Sequence, residues 1–464
     1  MSGSATRFLF AQRRIRPRTL SLPVRAGRER SRCYTRTVAR HGTRARRDAG
    51  PRERTPMRIG FFTDSFTPQI NGVVRSILLF KEALEARGHE LYVFAPDPEQ
   101  DEDSEGVVRF RSLPYPRQPE MRMAAPISIE ALRLLDKVDL DVVHSHDPFA
   151  IGLFGLQVAR RHRVPYVNTY HTAYPEYVHY VWDTRLTKRF AEQVSRVFGE
   201  YCDSIVAPST KIETYLREYG VTVPIEIIAT GIDVAHWAHA EAEHVAALRR
   251  KLRLPAGERV ILYMGRLGRE KSVDTLIRAM WHSRRTDATL VIAGDGPWRG
   301  ELETLAAELG VMRKVRFAGY LKGRDTVAAY QLADLFAFAS TTETQGLVIG
   351  EAMAAGLPVV TGEDEAIEDF VDERSGIVVR HRPEDFARAC DRILSDDALC
   401  ARLSAGAVAR AAEFSIDRQA AKLEAHYERA IEAYPKRRRL LRIPKSLLPG
   451  PLARIATALE DDRR

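Results

Sequence analysis

Residues 260–271 read Val260-Ile261-Leu262-Tyr263-Met264-Gly265-Arg266-Leu267-Gly268-Arg269-Glu270-Lys271. The first five are apolar or aromatic with no polar alternation. A strand covered on both faces has that composition, and such strands belong to parallel sheets flanked by helices. The glycine that ends the run permits a tight turn against a ligand. Arg266 offers a bidentate fork and Lys271 a point charge, both suited to a diphosphate. The competing reading is a solvated basic turn. Against it, Gly265, Arg266 and Lys271 all follow a buried strand directly.

The same pattern repeats on both sides. Upstream, short apolar runs at 58–62, 90–95, 107–112, 140–144, 164–168, 203–207 and 225–229 predict strands. Downstream, 259–264, 288–293, 315–318, 334–339, 357–361 and 376–379 predict a second series. Helical patterns of crossover length lie between them, such as Val73–Ala86 before Gly88. The expected fold is α/β, with two doubly wound Rossmann-like domains at 57–240 and 241–415 facing a cleft. Residues 416–434 predict one further helix, with Leu423, Tyr427, Ala430, Ile431 and Tyr434 on a single apolar stripe. Ligands of open α/β sheets bind beyond the carboxyl ends of the strands, so the chemistry is expected in the cleft.

The chain has 464 residues, with 71 Lys+Arg against 62 Asp+Glu, a formal charge of +9. The charge is unevenly spread. Residues 1–56 carry sixteen Arg and three acids, residues 435–464 carry nine basic residues and three acids, and 57–434 is left near −10. Apolar content of 45% and aromatic content of 8% exclude a disordered chain. No apolar stretch reaches the eighteen or so residues of a membrane span. Four unpaired-looking cysteines, Cys33, Cys202, Cys390 and Cys400, support neither a disulfide framework nor a zinc cluster.

Residues 1–56 show no hydrophobic period, and Met57 opens a clean strand. The expectation is an Arg-rich leader ahead of a start at Met57. A transit peptide and a nucleic-acid-binding arm are the alternatives, the latter with Tyr34 as the one stacking ring near the cluster. The basic tail at 435–464 interleaves Leu and Ile, which suits an anionic membrane surface as well as a solvated tail.

A second motif follows the predicted strand 334–339: Glu343-Thr344-Gln345-Gly346-Leu347-Val348-Ile349-Gly350-Glu351. Two carboxylates eight apart straddle a helix start, whose N–H groups at Gly346–Ile349 would be free for an anion. Glu343 is placed for sugar hydroxyls and Glu351 for a ribose diol. Acidic residues in a first helical turn are also favourable on their own account.

Gly-Arg-x-x-x-x-Lys followed by Glu-x7-Glu resembles the retaining glycosyltransferases of family 4, which have the two-domain GT-B architecture. The similarity covers 57–434, and the helix at 416–434 resembles the family's last helix, which crosses back to the N-terminal domain. Within the family, four segments look like bacterial 1,2-diacylglycerol 3-glucosyltransferases: Phe62–Val73, His144–Phe149, Asn168–Thr172 with Tyr177–Tyr180, and Leu216–Gly220. Where many members have two glycines in the first loop this chain has Asn71-Gly72, and Asn tolerates the positive φ of such a turn.

The resemblance implies roles. Gly265, Arg266 and Lys271 would hold the donor diphosphate, with Arg266 and Lys271 stabilising the leaving charge. Glu343 would contact the sugar, helped by the backbone of Gln345, Gly346, Leu347 and Val348. Glu351 would bind ribose. His171 would position the sugar near its O6, and Gly72 would let the first loop approach. It implies a hexosyltransferase without metal or other cofactor. The expected donor is UDP-glucose and the expected acceptor a membrane lipid, 1,2-diacylglycerol, with GDP-mannose and phosphatidylinositol as the alternative pair. Asp101-Glu102-Asp103 and Asp139-Leu140-Asp141 match the Asp-x-Asp string of metal-dependent enzymes but read as solvated or structural. Arg109, Arg111, Arg117 and Arg122, among Phe110, Tyr115, Met121 and Met123, are the expected contacts with an anionic membrane, and Tyr174, Tyr177, Tyr180 and Trp182 are a second candidate set. The implied location is the cytoplasmic face of the cell membrane, peripherally attached. A nucleic-acid binder is the rival of another class. A dinucleotide dehydrogenase is disfavoured because no G-x-G-x-x-G follows 58–62. No oligomeric state is indicated.

Overall fold

The computed structural model describes residues 55–69, 71–98, 106–115, 118–173 and 185–437. The first series of strands is β1 Arg58–Phe62, β2 Glu90–Pro96, β3 Val107–Phe110, β4 Ser112–Tyr115, β5 Gln118–Ala124, β6 Val142–Ser145, β7 Tyr166–Thr169, β8 Ser204–Ala207 and β9 Ile225–Ile227. The second is β10 Arg259–Met264, β11 Ala288–Ala293, β12 Val315–Gly319, β13 Leu335–Phe338, β14 Val359–Gly362 and β15 Gly376–Val379. They build a seven-stranded sheet in the order β3-β2-β1-β6-β7-β8-β9 and a six-stranded sheet in the order β12-β11-β10-β13-β14-β15. Every pairing in both is parallel.

The continuous apolar runs explain the burial. Leu262 and Tyr263 of β10, and Ile59, Phe61 and Phe62 of β1, expose nothing to solvent. Each sheet reverses its strand order once, between β1 and β6 and between β10 and β13. Those switch points are where an open sheet leaves a crevice for a ligand. Both sequence motifs leave strands at the second one.

One element departs from expectation. The run 107–112 does not form a single strand. It breaks after Phe110, and β4 folds back on β5 as a separate antiparallel hairpin. A short polar-apolar alternation says nothing about which neighbour a strand will pair with.

The last helix, Ile416–Arg437, packs on the helix Gly72–Ala86 and on the seven-stranded sheet. Ala420, Leu423 and Tyr427 join Ile59, Phe61 and Ile77 in one apolar cluster. The expected stripe is therefore the packing face, with Leu423, Tyr427 and Tyr434 buried. Arg87 fixes its angle by two hydrogen bonds to Glu424 Oε2, at 2.8 and 2.5 Å. The two chain crossings run side by side: Ile232 N–H donates to Phe414 O and Ile416 N–H to Ile232 O, both at 2.9 Å. Gly231 is required there, because a Cβ would lie 2.3 Å from Ile416 Cα.

Candidate active site

The loop after β10 is held by its neighbours. Gly265 N–H donates to Ala293 O and Leu267 N–H to Asp295 O, both at 3.0 Å. A short 3₁₀ turn at Arg269–Lys271 then brings Lys271 to the loop after β13. There Lys271 Nζ meets Glu343 Oε1 at 2.6 Å, with 18% and 13% of the two side chains exposed. Burial alone would push the Glu343 carboxyl up, but the Lys271 charge and hydrogen bond outweigh it and hold the group below its usual range. The carboxylate is thus ionised and oriented. Arg266 is exposed, and among the described residues its guanidinium makes no hydrogen bond or ion pair. A half-buried Lys–Glu pair with an unpaired arginine on the same loop, at the carboxyl end of a parallel sheet, is arranged for a polyanion with hydroxyls next to it.

Gly346 starts the helix Leu347–Ala354 with φ +77°, a conformation that favours glycine. The N–H groups expected to be free are not all free, since Ile349 N–H bonds Gly346 O at 2.9 Å. Leu347 and Val348 are the first-turn residues whose N–H groups have no intrahelical acceptor. The Gln345 side chain turns away from the site. It accepts from Thr230 N–H and donates to Thr230 O, both at 2.8 Å. Glu351 is buried, paired with Arg75 Nε at 3.0 Å and with Tyr330 Oη at 2.9 Å.

On the opposite sheet, Asn71 is not in a positive-φ turn. It is extended, and its side chain caps the helix Gly72–Ala86 by accepting from Val74 N–H at 2.9 Å. Asn serves here as an N-cap, one of its preferred positions. Gly72 lies at the cleft, where a Cβ would be 3.7 Å from Leu347 Cδ1 of the other half.

His171 belongs to a row that the sequence did not assemble. His171 Nε2 and His146 Nδ1 share a hydrogen bond of 3.0 Å, and the His146 and His144 rings stack at 4.4 Å. His144 bonds Tyr427 Oη of the last helix at 2.5 Å and Thr169 Oγ1 at 2.7 Å. Burial holds all three imidazoles down, His171 to about 4 and the other two well below their usual value, so the row is neutral. The carboxylates next to it are committed elsewhere. Asp147 accepts from Thr63 Oγ1 at 2.9 Å and from Asp64 N–H at 3.0 Å. Asp64 caps the helix Ala150–His162 through Ile151 and Gly152 N–H, and burial beside Asp147 raises it to about 7.

The neutral row has a consequence for stability. A histidine whose folded value is depressed contributes stability that is present above about 6.5 and lost as the pH falls toward the folded value. The raised acids, Asp64 among them, act in the opposite sense, so a difference isolates the effect. The gap in melting temperature between the wild type and His146→Asn is expected to narrow as the pH falls from 7.5 to 5. A gap that widens on acidification would show His146 charged in the fold.

The four arginines expected at a membrane are not equivalent. Arg109 donates to Pro96 O at 3.0 Å and lies 5.4 Å over the Phe66 ring. Arg122 donates to Ser112 Oγ at 2.7 Å and Ser112 O at 3.0 Å. Both guanidinium groups are anchored on neutral backbone and side-chain acceptors of the protein and keep their charge. Arg111 is exposed, and Arg117 lies outside the described residues. So do residues 1–54, Asp101–Asp103, Tyr174, Tyr177, Tyr180, Trp182 and residues 438–464. Asp141 is structural, accepting from Arg58 N–H at 2.8 Å. Among the described residues no cluster of three or more His, Cys, Asp or Glu is placed to hold a metal, and no helix is long and apolar enough to cross a membrane.

Comparison with known proteins agrees with this architecture. Residues 70–236 match the model of Glycosyltransferase Family 4 and residues 245–410 that of Glycosyl transferases group 1. The chain is 32% identical to an alpha-monoglucosyldiacylglycerol synthase of Streptococcus pneumoniae over 72% of this chain and 77% of the relative. It is also 32% identical to the enzyme of that name from Acholeplasma laidlawii, over 76% of this chain and 92% of the relative. A GDP-mannose-dependent alpha-mannosyltransferase of Mycobacterium tuberculosis matches at 32% over 70% and 84%. The crystal structure of Anabaena HepE in complex with UDP superposes with a TM-score of 0.64 at 20% identity, covering 80% of this chain and all of the other. The family models and relatives define a hexose-transferring enzyme, and the fold has the GT-B architecture. The chain belongs to glycosyltransferase family 4.

Proposed function

We propose that this enzyme transfers glucose from UDP-glucose, with retention at the anomeric carbon, to the free hydroxyl of a 1,2-diacylglycerol at the inner face of the cell membrane. The observation that carries the reading of the donor site is the half-buried Lys271–Glu343 pair at 2.6 Å, with an unpaired Arg266 on the same loop as Lys271. Arg266 and Lys271 meet the diphosphate, Glu343 the hydroxyls of the sugar, and neutral His171 its O6 side. Among the described residues no carboxylate beside His171 is placed as a nucleophile, since Asp64 and Asp147 accept structural hydrogen bonds. The acceptor hydroxyl therefore attacks from the face that the diphosphate leaves. The new C–O bond forms as the sugar–phosphate bond breaks, and the hydroxyl proton passes to the departing phosphate oxygen. Catalysis is stabilisation of charge on that phosphate by Arg266, Lys271 and the N–H groups of Leu347 and Val348, without a metal. Losing one charge-assisted contact in such a site costs roughly 2–3 kcal/mol. Arg266→Ala is expected to lower kcat/KM for the nucleotide sugar about 30- to 150-fold. Steady-state kinetics close to wild type would remove Arg266 from the donor site.

The lipid acceptor is supported by the two glucosyldiacylglycerol synthases among the relatives. It is also supported by the hairpin, where Leu113 and Met123 are register partners, 69% and 51% exposed, next to exposed Arg111. An apolar pair beside a cation suits shallow insertion among anionic headgroups. The deciding experiment assays UDP-glucose and GDP-mannose against diacylglycerol and phosphatidylinositol in anionic vesicles. Glucosyl-diacylglycerol is the expected product, with flotation of the protein on the vesicles that weakens as salt rises. No flotation would favour a soluble acceptor. Mannosyl transfer would favour the second reading, which the equally identical mannosyltransferase supports.

A further inference from the structure

Arg75 stands three residues into the helix Gly72–Ala86, on the N-terminal sheet, and takes no part in the roles assigned so far. Its Nε lies 3.0 Å from Glu351 Oε1, across the cleft. The other oxygen of that carboxylate, Oε2, accepts from Tyr330 Oη at 2.9 Å. A carboxylate offers about four lone-pair positions. Two are used, one on each oxygen, so one remains on each. Two acceptors joined to a single carbon match the spacing of a vicinal diol.

The arginine is itself held in place. Its guanidinium lies 5.0 Å over the Trp237 ring. The next residue, Ser76, receives a hydrogen bond from Thr230 Oγ1 at 2.9 Å, and Thr230 is clamped by Gln345 of the donor loop. The first turns of this helix are thus tied to the donor half directly at Arg75 and through Thr230 at Ser76. Burial pushes the Glu351 carboxyl up, and the Arg75 charge opposes that.

We propose that Arg75 is a positioning residue: it orients Glu351 so that the two remaining lone pairs accept the 2′- and 3′-hydroxyls of the ribose, coupling nucleotide recognition to the placement of the N-terminal helix. This rests on the reading of Glu351 as the ribose carboxylate. A group that only stabilised the fold would alter affinity for every nucleotide alike. Arg75 instead alters the preference for ribose over 2′-deoxyribose.

The test titrates UDP and GDP into the wild-type enzyme by calorimetry, then the 2′-deoxy form of the tighter one, and repeats the pair with Arg75→Met, Arg75→Lys and Glu351→Gln. The wild type is expected to favour the ribonucleotide about 10-fold, the worth of one hydrogen bond to a charged group. Arg75→Met is expected to reduce that preference to about 2-fold, and Arg75→Lys to restore part of it. KM for the nucleotide sugar rises while kcat at saturation stays within about 3-fold, because ribose contacts are made equally in ground and transition states. If Arg75→Met keeps the full preference while Glu351→Gln loses it, the proposal is wrong and the ribose reading stands. If Glu351→Gln keeps it, or neither nucleotide binds, the ribose reading falls and the role of Arg75 with it.

Discussion

Lys271→Met is expected to lower kcat/KM for the nucleotide sugar about 10²- to 10³-fold, the usual consequence of removing one preorganised stabiliser of developing charge. Two losses combine. The first is the cation facing the leaving phosphate. The second is indirect: Glu343 is 13% exposed, and the Lys271 charge does most to keep its carboxyl low. Without that partner, burial dominates and the carboxyl moves up. A protonated Glu343 loses acceptor capacity where the sugar hydroxyls must be gripped. The loss should therefore appear in both kcat and KM, and raising the pH should recover part of it by ionising Glu343 again. Measured kinetics within about 3-fold of wild type would place the reaction away from this pair.

Gly294→Ala is expected to destabilise the six-stranded half by about 3 kcal/mol or more, because backbone conformation and space both refuse a side chain. Gly294 has φ +146°, and a Cβ there would sit 1.8 Å from Gly265 O. Its own N–H donates to Gly319 O at 2.8 Å, so the loop cannot retreat without breaking that bond. The displaced neighbour is the loop that carries Arg266. For a half of this size the fall in melting temperature should be about 6–12 °C, with donor affinity lost as well. Gly300→Ala is the control. It lies in the helix Arg299–Glu308 with nothing within 4 Å of a Cβ, and helix propensity makes that change slightly stabilising. Equal effects of the two substitutions would remove the steric account.

Much of this molecule is legible in its chain. A run such as Val260–Met264 is covered on both faces because it has no polar alternate, and that local fact implies a parallel sheet wherever it recurs. The Gly-Arg-x-x-x-x-Lys and Glu-x7-Glu spacings point to the proposed donor side because they follow buried strands, where charge has a purpose. The apolar stripe Leu423–Tyr434 announced a packing face without naming its partner. Only the folded chain decided the rest. The arginines Arg109 and Arg122 look alike to Arg111 in sequence, but a guanidinium turns inward when unspent carbonyl and hydroxyl acceptors lie within reach, and those belong to Pro96 and Ser112. The break of the run 107–112 after Phe110, and the hairpin of β4 with β5, were not legible in that run. The histidine row joins β6, β7 and the last helix, and the Arg75–Glu351 pair joins residues from opposite sheets. Local periodicity depends on neighbours a few residues away, so sequence determines strands, caps and motif placement. A buried charge or imidazole takes its state from whatever the whole chain packs around it, so partners across the cleft are decided by tertiary structure alone.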